Sequence, residues 1–160
     1  MGEAARPASS EGASRSPAVG HGAILGGMTE ENGEIARLWW ARFNEDGEPP
    51  LDLCHPDIEM RNPDGFPVTG PYFGREGIRQ WAVDVYDVVD DARGEVEEVV
   101  DVGDGDSVIA VLRQTGRWKH TQISAEVKWA AVMTMRDGKL FRAKGFLSKG
   151  EALEAAGLAS

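Results

Sequence analysis

SVIAVLRQTGRWKHTQISAEVKWAAVMTMRDGKLFRAKGFL, residues 107–147, is the stretch that decides the fold. It contains three runs rich in Val, Ile, Thr and aromatic residues, Ser107 to Thr115, Ile123 to Met135 and Leu140 to Leu147. Such runs read as strands when turn residues bound them. The breaks between them are Gly116 to His120 and Asp137-Gly138. Asp-Gly between apolar runs is a strong hairpin signal, because the tight turn needs positive φ. Just upstream, Val96 to Val102 supplies a fourth strand, joined through Gly103-Asp104-Gly105-Asp106. The result is a long antiparallel meander.

Before the meander the period changes. Arg75 to about Val89 places Ile78, Trp81, Val85 and Val89 at helical spacing,. Further upstream Thr29 can cap a helix whose Ile35, Leu38, Trp39 and Phe43 recur along one side, with Glu30 and Glu31 at its positive end,. Pro49 and Pro50 then precede a short helical segment, Leu51 to Cys54, and Ile58 to Asn62 reads as a short strand. Pro63 to Gly74 is a loop rich in Pro and Gly, and Glu151 to Ala156 closes the chain with a helical turn stopped by Gly157,. Helices first and an antiparallel meander second give an α+β domain with the helices packed on one face of a curved sheet.

Composition narrows the function. A chain of 160 residues, 41% hydrophobic, is expected to form one domain with a real core,. Five tryptophans against two tyrosines imply a core or cavity walled by aromatics,. The net charge of −10 sets the average surface against nucleic acid and anionic membranes as partners,. The lone Cys54 cannot form an internal disulfide, and His21, His55 and His120 have no zinc-ligand spacing, so a reducing cytoplasm is the expected compartment, without metal or cofactor,. Ten acids between Asp84 and Asp106 read as turn and surface residues rather than a calcium loop, whose ligand order they lack,. Met1 to Gly27, dominated by Ala, Ser, Gly and Pro, is expected to be a disordered tail, with residues 28–160 as the domain and Met28 a candidate start,.

Five phrases in order resemble one known superfamily: Arg42-Phe43-Asn44, His55-Pro56-Asp57-Ile58-Glu59, Gly70-Pro71-Tyr72-Phe73-Gly74-Arg75-Glu76-Gly77-Ile78, Arg136-Asp137-Gly138-Lys139, and the closing segment from Glu151 to Leu158. From Met28 to about Leu158 the chain resembles the nuclear transport factor 2-like superfamily, close to its SnoaL-like, polyketide-cyclase-like branch. The resemblance implies a cone with an internal pocket for a small apolar molecule, commonly in a homodimer formed through the outer sheet face. It also places Asn62, Trp39 and Ala131 where steroid isomerases carry their base and oxyanion-binding groups, and an amide cannot act as the base,. The aspartate that epoxide hydrolases need late on the last strand has no counterpart in Lys144-Gly145-Phe146-Leu147-Ser148.

Strand parity then proposes the pocket. With Asn62 and Ala131 inward, Met60, Val127, Trp129 and Met133 point inward too, while Lys128, Ala130, Val132, Arg142 and Lys144 face outward,. Matching the family along Ser107 to Thr115 places Val111, Arg113 and Thr115 inside, facing Trp39 and Trp81 from the helices. On this reading Arg113 and Asn62 hold a carbonyl or enolate and His120 moves a proton. The bland readings are core packing for the tryptophans, a backbone bond for Asn62, and an internal ion pair of Arg113 with a carboxylate such as Asp84. Three functions follow: a cofactor-independent cyclase, isomerase or hydratase of a polyketide- or terpenoid-like molecule, a non-catalytic binder using the same pocket, and a dimeric interaction module whose pocket is plugged.

Overall fold

The computed structural model describes residues 21–158. The elements are α1 (His21–Asp46), a 3-10 turn (Leu51–Leu53), β1 (Cys54–Arg61), β2 (Tyr72–Phe73), α2 (Gly74–Val88), β3 (Val89–Asp101), β4 (Ser107–Trp118), β5 (Ser124–Arg136), β6 (Lys139–Phe146) and α3 (Lys149–Ala155). The strands form one mixed sheet in the order β2-β1-β6-β5-β4-β3, in which β1 runs parallel to β6 and the other pairs are antiparallel. This is an α+β fold: a curved, open sheet with α1 and α2 against its inner face.

Several elements are longer than their sequence signals. α1 begins at His21, eight residues before the Thr29 cap position. Of the expected tail, residues 1–20 lie outside the described residues, and residues 21–27 belong to α1. β3 starts at Val89 instead of Val96, because Asp90 to Glu95 pairs with β4 despite its acidic, weakly strand-forming composition,. β2 forms within the expected loop, where Tyr72 and Phe73 pair with Met60 and Glu59. The Tyr72 hydroxyl donates to Asp84 Oδ2 on α2 at 2.6 Å, and burial together with this carboxylate pushes its pKa up to about 12,.

The inward stripe of α1 is Ala36, Trp39, Trp40 and Phe43, a spacing of three, four and seven,. Leu38, expected on that stripe, is 46% exposed, because one further step round the helix from Trp39 points it to solvent. Trp39, Trp40, Phe43 and Trp81 pack with ring centroids 5.0–6.3 Å apart. Each buried indole removes on the order of 150–250 Å² from water, roughly 4–6 kcal/mol of transfer free energy at about 25 cal/mol per Å².

The sheet makes room for this cluster at Gly94. A Cβ there would lie 2.7 Å from Trp40 Cε3, and the Asn44 side chain fastens the same point, accepting from Gly94 N–H at 3.0 Å and donating to Gly94 O at 2.8 Å. Gly94→Ala should therefore lower unfolding free energy by about 1–3 kcal/mol in urea titrations. An unchanged midpoint and slope would show that Trp40 does not sit against β3.

Candidate functional site

The pairing of β4 with β5 fixes which side chains face the interior. Ala110 lies opposite Ala131, Leu112 opposite Trp129, Gln114 opposite Val127 and Gly116 opposite Ala125. Ala110, Leu112, Trp129 and Ala131 belong to the main core, so this whole set faces inward. On the opposite face Ile109 and Ala130 form a second cluster with Ala152 of α3, against which Val111 and Val132 pack. Ser148 caps α3, its Oγ accepting from Glu151 N–H at 3.1 Å,.

This register corrects three expected site residues. Val111 is an outer-face residue. Arg113 stands opposite Lys128 on the outer face, where its guanidinium meets Glu95, Glu97 at 3.6 Å and Glu126 at 3.2 Å. Hydrogen bonds to Glu126 and Glu95 raise its pKa further. Arg113 thus has carboxylate partners, but they lie outside, and Asp84 instead accepts from Tyr72 and Gln80. His120 is exposed in the turn between β4 and β5 and does not border the cavity. Strand alternation requires the correction: once Arg113 pairs with outward Lys128, it cannot also face the pocket.

The interior has a closed end and an open end. At the closed end Trp39, Met60, Ala131 and Met133 surround a void of only ≈10 Å³. The Trp39 indole N–H donates to Cys54 Sγ at 3.4 Å, and burial pushes the Cys54 thiol pKa up. The buried indole N–H groups of Trp40, Trp81 and Trp129 have no hydrogen-bond partner among the described residues. Trp40 meets Trp81 and Trp129 edge-on, at 79° and 82°, which sets positive ring edges against negative faces,.

The open end is a cavity of ≈490 Å³ between α2, the loop after β1, and the ends of β4 and β5. Trp81, Trp129, Asn62 and Thr115 all border it, so the structure brings these four expected residues together. Thr115 does so from an outward register position beside Glu126. Asn62, 7% exposed, donates from Nδ2 to Val68 O at 2.7 Å, and its backbone N–H reaches Thr69 O at 2.9 Å. These bonds hold the segment that carries Phe66 over the cavity, where its ring lies 5.8 Å from Trp129. Sequence reasoning missed Gln114, whose inward amide borders the cavity and makes no side-chain hydrogen bond among the described residues. The signal that finds it is the outward pairing of Arg113 with Lys128.

Other charged clusters have structural work. Asp104 Oδ1 accepts from the backbone N–H groups of Asp106 and Ser107, and Asp101 Oδ1 from that of Gly103. No group of three or more His, Cys, Asp or Glu side chains among the described residues is placed to hold a metal ion. No helix among them is long and apolar enough to cross a membrane.

The SnoaL-like domain model matches residues 36–143, which takes in both the closed end and the cavity walls. The chain belongs to the SnoaL-like domain family. Among solved structures, TerC, co-crystallised with polyporic acid, is 25% identical with a TM-score of 0.64, over 79% of this chain and 98% of that one. A Catenulispora acidiphila protein with a ketosteroid isomerase-like fold, in complex with trimethylamine, is 19% identical with a TM-score of 0.61, over 78% and 93%. SalBIII, an epoxide hydrolase/cyclase-like enzyme of pyran ring formation in polyether salinomycin, is 17% identical with a TM-score of 0.62, over 75% and 92%. No curated protein matches the sequence. This SnoaL-like chain shares the nuclear transport factor 2-like, ketosteroid isomerase-like fold of these neighbours.

Placing Arg113 outside has a measurable consequence. Arg113→Met leaves Glu95, Glu97 and Glu126 facing Lys128 alone, so the melting temperature should fall by a few degrees at low salt and by less at 0.5 M salt. Binding of an apolar dye in the cavity should not change. A loss of dye affinity with an unchanged melting curve would place Arg113 in the cavity wall.

Proposed function

We propose that this SnoaL-like protein binds a small, largely apolar molecule in the ≈490 Å³ cavity without proton-transfer chemistry. The observation that carries this reading is the composition of the wall. It is mainly aromatic and aliphatic, with the amides of Asn62 and Gln114 facing in. An apolar pocket with a few polar groups is the usual form of a small-molecule site, and ≈490 Å³ lies within the ordinary range of about 300–1,000 Å³,. A plugged interaction module would need a far smaller space.

General acid–base catalysis needs a titratable group within reach of the substrate. Among the described lining residues Glu126 alone carries an acidic or basic side chain, and its carboxylate is engaged by Arg113 on the outer face. Cofactor-independent cyclisation, isomerisation or hydration is the second reading. It draws on neighbours such as SalBIII and on the capacity of two amides to polarise a carbonyl.

Nile red, a neutral dye that brightens in apolar surroundings, tests the binding reading. The wild-type chain should bind one equivalent with blue-shifted emission. Ala125→Trp, which fills the cavity from an inward position on β5, should abolish binding while preserving the melting temperature. Equal dye binding by the variant would move the site elsewhere.

Homodimerisation through the outer sheet face belongs to the same proposal. α3 covers Ile109 and Ala130 there, while Val111, Val132 and Phe146 stay half-buried around it. Light scattering at micromolar concentration should give twice the chain mass of 17.3 kDa. A monomer would contradict the dimer.

A further inference from the structure

The cavity wall is one-sided in charge. Five aromatic side chains border it, Phe43, Phe66, Trp81, Trp118 and Trp129, and Glu126 is the only charged residue among the described lining. No Lys, Arg or His stands there to receive an anion. Aromatic faces carry the negative lobe of the ring quadrupole, so a wall of rings attracts an ammonium group, while a carboxylate would meet only neutral donors such as the Gln114 amide in exchange for its lost water,.

The surroundings push the same way. Arg113, the guanidinium bound to Glu126, is approached by three carboxylates, Glu95, Glu97 and Glu126, while Lys128 adds one more positive charge at Glu97. Arg93, opposite Thr115 on the same outer face, makes the bases three as well, so this cluster is balanced in charge and Glu126 is the carboxylate it brings to the cavity. A bound cation that draws Glu126 leaves Arg113 paired with Glu95 and Glu97. The net charge of −10 raises the local concentration of cations over the whole surface,.

We propose that the cavity selects a cationic ligand: an apolar body bearing a tertiary or quaternary ammonium group, held against the aromatic faces at the Glu126 end. The proposal rests on the reading of the cavity as a ligand site, and it reverses the anionic ligand that an inward Arg113 would have required. Trp118 is the natural wall for the charged group, since it is both a lining residue and 39% exposed at the rim. The deeper rings and the two amides receive the apolar body.

Direct calorimetric titration of the full chain with three probes of matched size tests the selection. They are benzyltrimethylammonium, its neutral carbon isostere neopentylbenzene, and phenylacetate. The cation should bind about tenfold more tightly than the isostere, and phenylacetate should bind most weakly. Glu126→Gln should narrow the ratio of cation to isostere affinity by about threefold or more, and Trp118→Leu should narrow it as well. Equal affinity for cation and isostere, or a preference for phenylacetate, overturns the cationic selection and leaves the cavity as a ligand site. Failure of all three probes to bind a chain that also fails to bind Nile red overturns both readings.

Discussion

Trp40 packs against β3 at the one residue of that strand segment without a side chain, and the rest of the interior is arranged around this contact. Its ring centroid lies 5.0 Å from that of Trp39, 5.8 Å from Phe43, 6.3 Å from Trp81 and 6.0 Å from Trp129. Gly94 lets the indole approach the backbone, and Asn44, one turn further along α1, ties helix to strand through two hydrogen bonds. Close packing of this kind tolerates little displacement. The five rings therefore fill the narrow half of the cone and leave the wide half, between α2 and the β4–β5 ends, as open space.

That division explains why residues expected to share one pocket separate into two environments. Trp39, Met60, Ala131 and Met133 serve the closed end, where the void is too small for a ligand. Trp81 and Trp129 belong to both ends, as the floor of one and the wall of the other. Polar groups follow the same logic. Charged side chains of β3, β4 and β5 gather on the outer face, where Arg113, Lys128 and their glutamates keep contact with water, and the inward wall carries amides. Burying an amide that can bond backbone or ligand is far less costly than burying an unpaired guanidinium.

Much of the architecture was legible in the sequence. Asp137-Gly138 adopts positive φ at both residues and joins β5 to β6, and the helical spacing in α2 buries Ile78 and Trp81. The inward set on β5 followed from placing Ala131 inward on the family match, and Lys128, which breaks the apolar run, marks the outer face in agreement with it. On β4 no such mark exists before Arg113, since Val108, Ile109, Ala110 and Leu112 are all buried. α3 covers the outer face there, so both faces are apolar and alternation gives no sign. Parity borrowed from a family match then slipped by one residue, which turned Arg113 inward and hid Gln114. β2 and the first half of β3 were illegible for another reason: neighbouring strands recruit segments whose own composition favours loop.

A packed tryptophan floor lies beneath an open cavity, and the five indole N–H groups report on it directly. In a ¹⁵N-tryptophan-labelled chain titrated with Nile red, the indole signals of Trp81, Trp118 and Trp129 should shift with one common binding curve. That of Trp39, bonded to Cys54 at the closed end, should stay in place. Shifts confined to Trp39 and Trp40, or no shift at Trp118 and Trp129 while the dye binds, would contradict the account.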